Sequence, residues 1–245
     1  MIFDILTLFP EMFRSPLEGS IIGKARQEGL ITINLINIRD YAEGKHRVTD
    51  DYPYGGGQGM IMKPEPIIRG VEALQASKPK AQVILMTPQG TPLRQEVVKR
   101  LAQHARLIII CGRYEGVDER VRAVVDEEIS IGDYVLTGGE LAALVLVDAV
   151  ARMIPGVLGD EGASEDDSFS QGLLEYPHYT RPREFAGRRV PEILISGDHQ
   201  AIEQWRRAEA LRRTWKRRPD LISRARLSDE DQRILEKLKG TSGTD

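Results

Sequence analysis

The chain has 245 residues, 41% hydrophobic and 29% charged, which is an ordinary globular balance and allows one large domain or one domain with a smaller partner. Its single cysteine, Cys111, excludes an internal disulfide framework and a cysteine-rich zinc site, as expected in a reducing cytoplasm. The net charge is −3, but residues 176–226 hold thirteen basic against six acidic residues, which points to a polyanionic partner for that segment.

The first predicted element is a buried strand at residues 2–9. Its apolar run is interrupted by Asp4 and preceded by no basic residue, so we do not interpret it as a signal peptide. A helix is predicted at residues 18–28. A second strand follows at residues 30–38, because apolar and polar residues alternate there. Residues 52–60 are predicted to form a glycine-rich loop.

Three strand-then-helix units come next. The strands are predicted at residues 81–86, 107–111 and 129–136, and they are followed by glycine-rich turns at residues 87–90, 112–116 and 137–139. The helices are predicted at residues 94–103, in the segment that places Val117, Val121 and Val124 on one face, and at residues 140–153. Because continuously apolar strands alternate with helices, we predict an α/β fold in which helices cover both faces of a parallel sheet.

The third of these helices is apolar on nearly all sides. It belongs to the longest apolar stretch of the chain, residues 141–154, but this stretch contains Asp148 and Arg152 and is too short to span a bilayer. We therefore expect the helix to be buried against something large, such as a second subunit, in a cytoplasmic protein.

The acidic run after that helix has the composition of a flexible linker, which we place at residues 159–172. Helices are predicted at residues 199–218 and 229–239. The expected organisation is an α/β domain at residues 1–158, then this linker, and then a small, mainly helical domain at residues 173–245.

The glycine-rich turns are the candidate functional site. Open parallel sheets bind ligands beyond the carboxyl ends of their strands, and all three turns fall there. Glycine lets the backbone approach a ligand closely, although a single such turn is more often only a tight connection. The turns contain neither GxxxxGK[ST] nor GxGxxG after the first strand, so neither a P-loop nor a conventional dinucleotide fold is supported. The pattern by itself indicates a ligand site without naming the ligand.

Seven strings carry a family resemblance. In chain order they are YGGGQGM, TPQG, CGRYEGVDER, SIGDYVLTGGE, IPGVLG, DSF and PHYTRP. With them, nearly the whole chain resembles the bacterial tRNA (guanine-N(1)-)-methyltransferases of the SPOUT superfamily. The resemblance implies a C-terminal deep trefoil knot in the α/β domain, which general topology rules argue against. It also implies a homodimer that transfers a methyl group from S-adenosyl-L-methionine to N1 of the guanosine at tRNA position 37, next to the anticodon.

The resemblance further implies which residues hold the cofactor. They are Pro88, Gly112, Tyr114, Ile131, Gly132, Asp133, Tyr134, Val135, Leu136, Gly138 and Gly139. Their apolar members suit an adenine slot formed largely by backbone groups. Without the resemblance, Tyr134 and Leu136 would be interpreted as ordinary strand residues that face a core.

Methylation of guanine N1 requires a carboxylate that removes a weakly acidic proton and a cation that stabilises the charge growing on O6. The resemblance gives the first role to Asp167 of the DSF string, although Asp166 beside it leaves some choice and composition alone favours a solvated acidic linker. It gives the second role to Arg152, for which a helical salt bridge with Asp148 is the alternative. Glu115 would contact the N1–N2 edge of the guanine, or would only cap the following helix.

The basic C-terminal segment is predicted to bind tRNA. The residues expected to contact phosphates are Arg206, Arg207, Arg212, Arg213, Lys216, Arg217 and Arg218. Trp205 and Trp215 would either stack on bases or pack a small core, and packing is the favoured interpretation. The target guanine must leave its stack to be methylated. The four histidines have no metal-like spacing, so no metal site is predicted.

Three other functions stay open at this point. One is a related knotted enzyme that methylates another RNA atom, such as a ribose 2′-hydroxyl, without needing Asp167. Another is a non-catalytic RNA-binding protein with a degenerate cofactor pocket. The third is a nucleotide-linked oxidoreductase, which the missing fingerprints weaken.

Overall fold

The computed structural model describes residues 1–159 and 167–241, without the side chains of residues 239–241. It divides into two compact units, Met1–Glu161 and Gly162–Asp245, which we call the α/β unit and the helical unit. The expectations for Asp166 and for most of the acidic linker fall outside the described residues. No described helix has both the length and the apolar character that a membrane crossing requires.

A five-stranded parallel sheet forms the centre of the α/β unit. The strands of this unit are β1 (Ile2–Thr7), β2 (Thr32–Asn37), β3 (Asp50–Asp51), β4 (Ile61–Met62), β5 (Gln82–Pro92), β6 (Arg106–Cys111) and β7 (Glu127–Ser130). The sheet order is β2-β1-β6-β5-β7, and β3 pairs with β4 separately. The helices are α1 (Arg14–Glu18), α2 (Ser20–Gln27), α3 (Pro64–Gln75), α4 (Gln95–Leu101) and α5 (Glu140–Ala151), with 3-10 helices at Pro10–Phe13, Ile38–Tyr41 and Glu119–Val124.

Hydrophobic clusters on both faces of the sheet confirm the predicted α/β fold. In β6, Leu107 and Ile109 belong to the cluster that includes α2 and α5, whereas Ile108 and Ile110 belong to the cluster that includes α3. Successive side chains of a strand point to opposite faces. A strand that is buried on both faces must therefore be apolar at every position. This explains the unbroken apolar run of β6 in the sequence.

The third strand of the predicted units is shorter than expected. β7 ends at Ser130, and residues 131–139 form a loop, so the predicted continuation of the strand to Leu136 is wrong. Gly132 has φ +149°, and the amide of Tyr134 donates to the carbonyl of Gly132 at 2.9 Å, which turns the chain out of the sheet. The prediction failed because the apolar side chains of this loop imitate a buried strand.

Two predicted helices also differ in extent. The helix predicted at residues 18–28 corresponds to α2, which begins only after Gly19, because Gly19 has an extended backbone with φ −99° and ψ 165° that separates α2 from α1. The helix predicted after residue 116 is only the 3-10 helix Glu119–Val124, with Val121 buried. In the second place the apolar spacing correctly predicted a buried face at Val121, but not that a 3-10 helix presents it.

β5 does not end at Met86 as predicted. Met86 and Thr91 both pair with Ile129 of β7. β5 therefore pairs with β7 before and after residues 87–90, and these residues form a bulge between the two paired parts. Gly90 closes this bulge against β7, since a Cβ there would lie 2.5 Å from the carbonyl carbon of Glu128. Only glycine fits such a close approach of two backbones.

The described residues of the helical unit form a β-hairpin, a 3-10 helix and three α-helices. The elements are β8 (Glu184–Phe185), β9 (Arg188–Arg189), a 3-10 helix at Glu192–Ile195, α6 (His199–Arg217), α7 (Pro219–Ile222) and α8 (Asp229–Thr241). Leu173, Leu211 and Leu235 form the buried core, and Trp215 packs against them. The two predicted helices and the core role of Trp215 are thus confirmed.

Candidate functional site

A cavity of about 420 Å³ lies at the carboxyl edge of the parallel sheet in the α/β unit. The bulge of β5 after Met86 and the loops that follow β6 and β7 surround it, so the three glycine-rich turns meet around one space. Parallel strands place their carboxyl ends at one edge, which is why turns that are distant in the sequence come together. The volume lies within the range of small-molecule sites.

Most of the residues that the resemblance implies for a cofactor line this cavity. They are Pro88, Gly112, Tyr114, Ile131, Gly132, Tyr134, Val135, Leu136, Gly138 and Gly139, whereas Asp133 does not line it. Neither Tyr134 nor Leu136 is a strand residue, because both lie in the loop after β7, although Leu136 still packs against the core. Tyr134 is 54% exposed, so its ring is accessible to a ligand.

Glycine lets the loop after β6 and the loop before α5 come into backbone contact. The amide of Gly139 donates to the carbonyl of Gly112 at 2.8 Å, and Arg113 forms an isolated antiparallel bridge with Gly138. A Cβ on Gly139 would lie 2.9 Å from Cα of Cys111. This part of the cavity wall is therefore made of backbone, and its shape depends on glycine.

Replacing Gly139 with alanine is expected to push this wall apart. Forcing a methyl group against backbone should lower the free energy of unfolding by about 1–3 kcal/mol, and binding of S-adenosyl-L-methionine should weaken by about tenfold or more if a similar energy is lost there. Denaturant unfolding and calorimetry measure the two effects. Gly159→Ala is the control, because a Cβ at Gly159 meets nothing within 4 Å. A Gly139→Ala chain that equals this control in both measurements would contradict the expectation.

The loop after β6 is also strained. Tyr114 has φ +59°, a left-handed conformation that costs a residue with a side chain about 1–3 kcal/mol. The glycine-rich loop at residues 52–60 helps to hold it, because the amide of Glu115 donates to the carbonyl of Met60 at 3.1 Å. Such strain is concentrated at ligand sites, where surrounding contacts maintain it.

Glu115 lines the cavity and does not cap the helix that follows it. The cap of that 3-10 helix is Asp118, whose carboxylate accepts a hydrogen bond from the amide of Arg120 at 2.9 Å. Hydrogen bonds from the Arg120 guanidinium hold the pKa of Asp118 below its usual value. The alternative role of Glu115 as a cap is therefore wrong, and its contact with a guanine stays a prediction.

A buried carboxylate joins three elements beside the cavity. Oε1 of Glu140 accepts a hydrogen bond from the hydroxyl of Thr7 at 3.0 Å, and its Oε2 accepts one from Arg113 at 3.2 Å. Arg113 lines the cavity, and its guanidinium also lies 4.5 Å from the centroid of the Phe9 ring. Burial and, second, the charge of Glu140 raise the pKa of Cys111, so this thiol stays protonated. The network fixes the ends of β1 and β6 to the first turn of α5.

A second network connects the bulge of β5 with β7. Arg122 donates to the side-chain oxygens of Gln89 at 2.9 Å and Glu119 at 2.8 Å, and it pairs with Glu128. Hydrogen bonds to Glu128 and Glu119 raise the pKa of Arg122, so it stays charged. The sequence pattern predicts neither network, although the glutamate that opens the otherwise apolar α5 is a signal for the first one.

Arg152 lies at the opposite end of α5 from the cavity. The helix begins at Glu140, beside the cavity, and Arg152 is its C-cap. The 12 residues of the helix extend about 18 Å, which is more than an arginine side chain can bridge. Arg152 does not line the cavity of its own chain, and its catalytic role stays a prediction.

Asp167 belongs to the helical unit, where it lines a second cavity of about 60 Å³. Gln171, Tyr176, Arg206 and Arg207 also line this small cavity. The predicted base and the predicted cofactor residues therefore lie in different units of the chain. The role of Asp167 stays a prediction.

Most of the arginines predicted to contact phosphates have partners inside the helical unit. Arg207 donates to both carboxylate oxygens of Asp231, at 2.9 and 2.7 Å, and lowers the pKa of that carboxyl. Arg212 forms an ion pair with Glu209 at 2.6 Å, and Arg213 donates to the carbonyl of Glu175 at 3.3 Å. The Arg206 guanidinium lies 5.0 Å from the centroid of the Tyr176 ring. These contacts stabilise the helical unit, and tRNA binding by these arginines stays a prediction.

Comparison with known proteins relates the chain to one family. The family model described as tRNA (Guanine-1)-methyltransferase TrmD matches residues 1–224. A protein of Syntrophotalea carbinolica named tRNA (guanine-N(1)-)-methyltransferase is 57% identical over 239 residues, which cover 98% of this chain and 97% of that protein. A protein of the same name from Geotalea uraniireducens is 57% identical over 246 residues, which cover 100% of both chains. Another from Dictyoglomus turgidum is 54% identical over 236 residues, which cover 96% of both chains.

Proposed function

The chain belongs to the tRNA (guanine-1)-methyltransferase family, and we propose that it transfers a methyl group from S-adenosyl-L-methionine to N1 of the guanosine at position 37 of tRNA, next to the anticodon. The observation that carries this proposal is a similarity that extends over residues 1–224 rather than over one motif. The cavity at the carboxyl edge of the sheet supports it, because its size and position suit a small-molecule cofactor.

The cavity of the α/β unit is the proposed cofactor site. The glycine wall at Gly112 and Gly139 lets an adenosine approach the backbone closely, and the side chains of Ile131 and Leu136 suit the face of a purine. The sulfonium of S-adenosyl-L-methionine supplies an electrophilic methyl group. The proposal includes the deep trefoil knot that the family resemblance implies for this domain.

Asp167 is the proposed general base. Guanine N1 carries a proton that has to leave as the bond to the methyl carbon forms, and a positioned carboxylate removes it. Asp167 is chosen because it stands in register with the Ser168-Phe169 pair of the DSF string. Glu115, which lines the cavity, is proposed to accept hydrogen bonds from the N1–N2 edge of the guanine and so to orient the base.

Arg152 is the proposed cation for the charge that develops on O6. Because it lies about 18 Å along α5 from the cavity of its own chain, it would serve the cavity of a second copy. Leu141 and Val145 of α5 are 50% and 48% exposed and offer an apolar face to that copy. We therefore include a homodimer in the proposal, in which Asp167 and Arg152 act at the cavity of the partner.

The helical unit is proposed to hold the tRNA. Its arginine-rich sequence suits phosphates, and binding of this kind weakens as salt is added. The guanine has to turn out of its stack to reach the methyl group, a cost of a few kcal/mol that contacts to the flipped base offset. A tRNA substrate implies that the chain acts in the cytoplasm.

Incubation with unmodified tRNA and methyl-labelled S-adenosyl-L-methionine tests the proposal. After nucleoside analysis, we expect the label in 1-methylguanosine at position 37. A tRNA with adenosine at position 37 is the matched control and should take up no label. Label in a ribose or in another base would instead support a related knotted enzyme. Tight tRNA binding without any labelling would support a non-catalytic RNA-binding protein.

A further inference from the structure

Residues 178–189 of the helical unit are exposed at every position. This segment contains one acidic residue, Glu184, and four arginines, namely Arg181, Arg183, Arg188 and Arg189. It lines neither of the two cavities described above. Neither the core of the helical unit nor the proposed active site accounts for it.

The middle of the segment is a tight β-hairpin, and we call residues 181–189 the arginine hairpin. Its turn residues, Ala186 and Gly187, have φ +51° and +73°, as in the two-residue turn whose twist matches that of paired strands. Alanine rarely adopts this conformation, so the turn is maintained against backbone strain. The hairpin therefore presents its side chains in a defined arrangement.

The two faces of the arginine hairpin differ in charge. Phe185 lies opposite Arg188, and Glu184 lies opposite Arg189, so the two pairs occupy opposite faces. One face is neutralised, because Arg189 donates to Glu184 at 2.7 Å. The other face presents the ring of Phe185, 75% exposed, beside Arg188, which has no ion pair within the described residues.

We propose that the arginine hairpin binds a single-stranded part of the tRNA, with Phe185 stacking on an unpaired base and Arg188 and Arg183 contacting the adjacent phosphates. The inference rests on the proposed function, which supplies the RNA. An exposed aromatic ring beside unneutralised guanidinium groups is the combination that recognises unstacked bases together with their backbone. Within the described residues, Arg183 and Arg188 are in no ion pair, in contrast to Arg207, which pairs with Asp231.

A protein partner fits this surface less well. Specific protein interfaces bury roughly 800 Å² on each side around an apolar centre. The exposed large apolar side chains of the hairpin are limited to Phe185, and Tyr179 precedes it. Four arginines against one glutamate instead complement a polyanion.

Binding of an unmodified tRNA transcript to the full chain, measured by fluorescence anisotropy at several salt concentrations, tests this proposal. Phe185→Ala should weaken binding about fivefold to a hundredfold without changing the salt dependence, because stacking releases no counterions. Arg188→Ala should weaken binding and also reduce the slope of log K against log salt by about 0.7–0.9, the value for one phosphate contact. Lys80→Ala removes one exposed charge at the amino edge of the sheet and should change neither quantity.

Thermal unfolding and cofactor affinity of each variant should equal those of the wild type, since the substituted side chains are exposed. If the wild type methylates tRNA and both hairpin variants bind tRNA like the wild type, the hairpin proposal is overturned while the proposed function stands. A wild-type chain that binds no tRNA overturns both. Variants that keep tRNA affinity but dissociate to single subunits overturn the proposal too, because the hairpin would then contact a second copy.

Discussion

Replacement of Asp167 by asparagine is expected to lower kcat for methyl transfer by about 10²- to 10⁴-fold, the contribution of a positioned general base. Asparagine keeps the size of the side chain but cannot accept the N1 proton. Affinity for S-adenosyl-L-methionine should not change, because Asp167 does not line the cavity of its own chain and is proposed to act on guanine N1 rather than on the cofactor. Single-turnover kinetics at saturating tRNA measure the chemical step, and calorimetry measures the cofactor affinity.

Asp229→Asn is the matched control, since it makes the same change at an exposed carboxylate of the helical unit and should leave kcat unchanged. Normal kcat in the Asp167→Asn chain would contradict its role as base and favour methylation of an atom that needs no such carboxylate.

Mixed dimers test which chain supplies the base. In a mixture with Gly139→Ala chains, the Asp167→Asn chain contributes an intact cavity, and its partner contributes an intact Asp167. Activity should therefore return on mixing if each base acts at the cavity of the partner. At a concentration of S-adenosyl-L-methionine that leaves the Gly139→Ala cavity largely empty, a mixture that exchanges subunits but gains no activity over the separate variants would contradict the proposed homodimer.

Replacement of Glu140 by alanine is expected to lower the free energy of unfolding by about 3–5 kcal/mol, the cost of removing one partner from a buried ion pair. The change would leave the Arg113 side chain, only 21% exposed, without its carboxylate, and the Thr7 hydroxyl without its acceptor. Because Arg113 lines the cavity, cofactor affinity should fall as well. Denaturant unfolding measures the stability, and calorimetry measures the affinity.

Two further variants make this prediction specific. Glu11→Ala breaks the ion pair between Glu11 and Arg14, and these two side chains are 71% and 68% exposed. The free energy of unfolding should therefore fall by less than about 1 kcal/mol. Glu140→Gln keeps the size of the side chain and one acceptor for Thr7, so it separates the loss of charge from the loss of packing and should cost an intermediate amount. If Glu140→Ala is as stable as Glu11→Ala, the buried network does not hold α5 to the sheet.

The parallel sheet could be predicted because local pattern decides it. Strands that are buried on both faces must be apolar throughout, as residues 107–111 are, and alternation with helices favours parallel pairing. The same pattern also predicted which edge of the sheet carries the cavity, because glycine-rich turns come at the carboxyl ends of the predicted strands. The family resemblance then supplied the chemistry, which no periodicity contains.

The loop after β7 could not be predicted in the same way. Its apolar residues continue the pattern of a buried strand, and the turn at Gly132 depends on a backbone conformation that glycine permits but does not require. In the structure these side chains line the cavity and do not belong to a strand of the sheet. Apolar character records burial or ligand contact equally well, so it does not distinguish the two.

By itself, the sequence determined the fold class, the functional edge of the sheet and the family, because each depends on local periodicity or on motifs in a fixed order. Only the tertiary structure decided which charged groups meet. Glu140 accepts a hydrogen bond from Thr7, 133 residues away, and from Arg113, 27 residues away. These contacts exist because β6 lies beside β1 in the sheet, although 98 residues separate the end of one strand from the start of the other. Side-chain periodicity reports which face of an element is buried, whereas strand order decides which elements that face will contact.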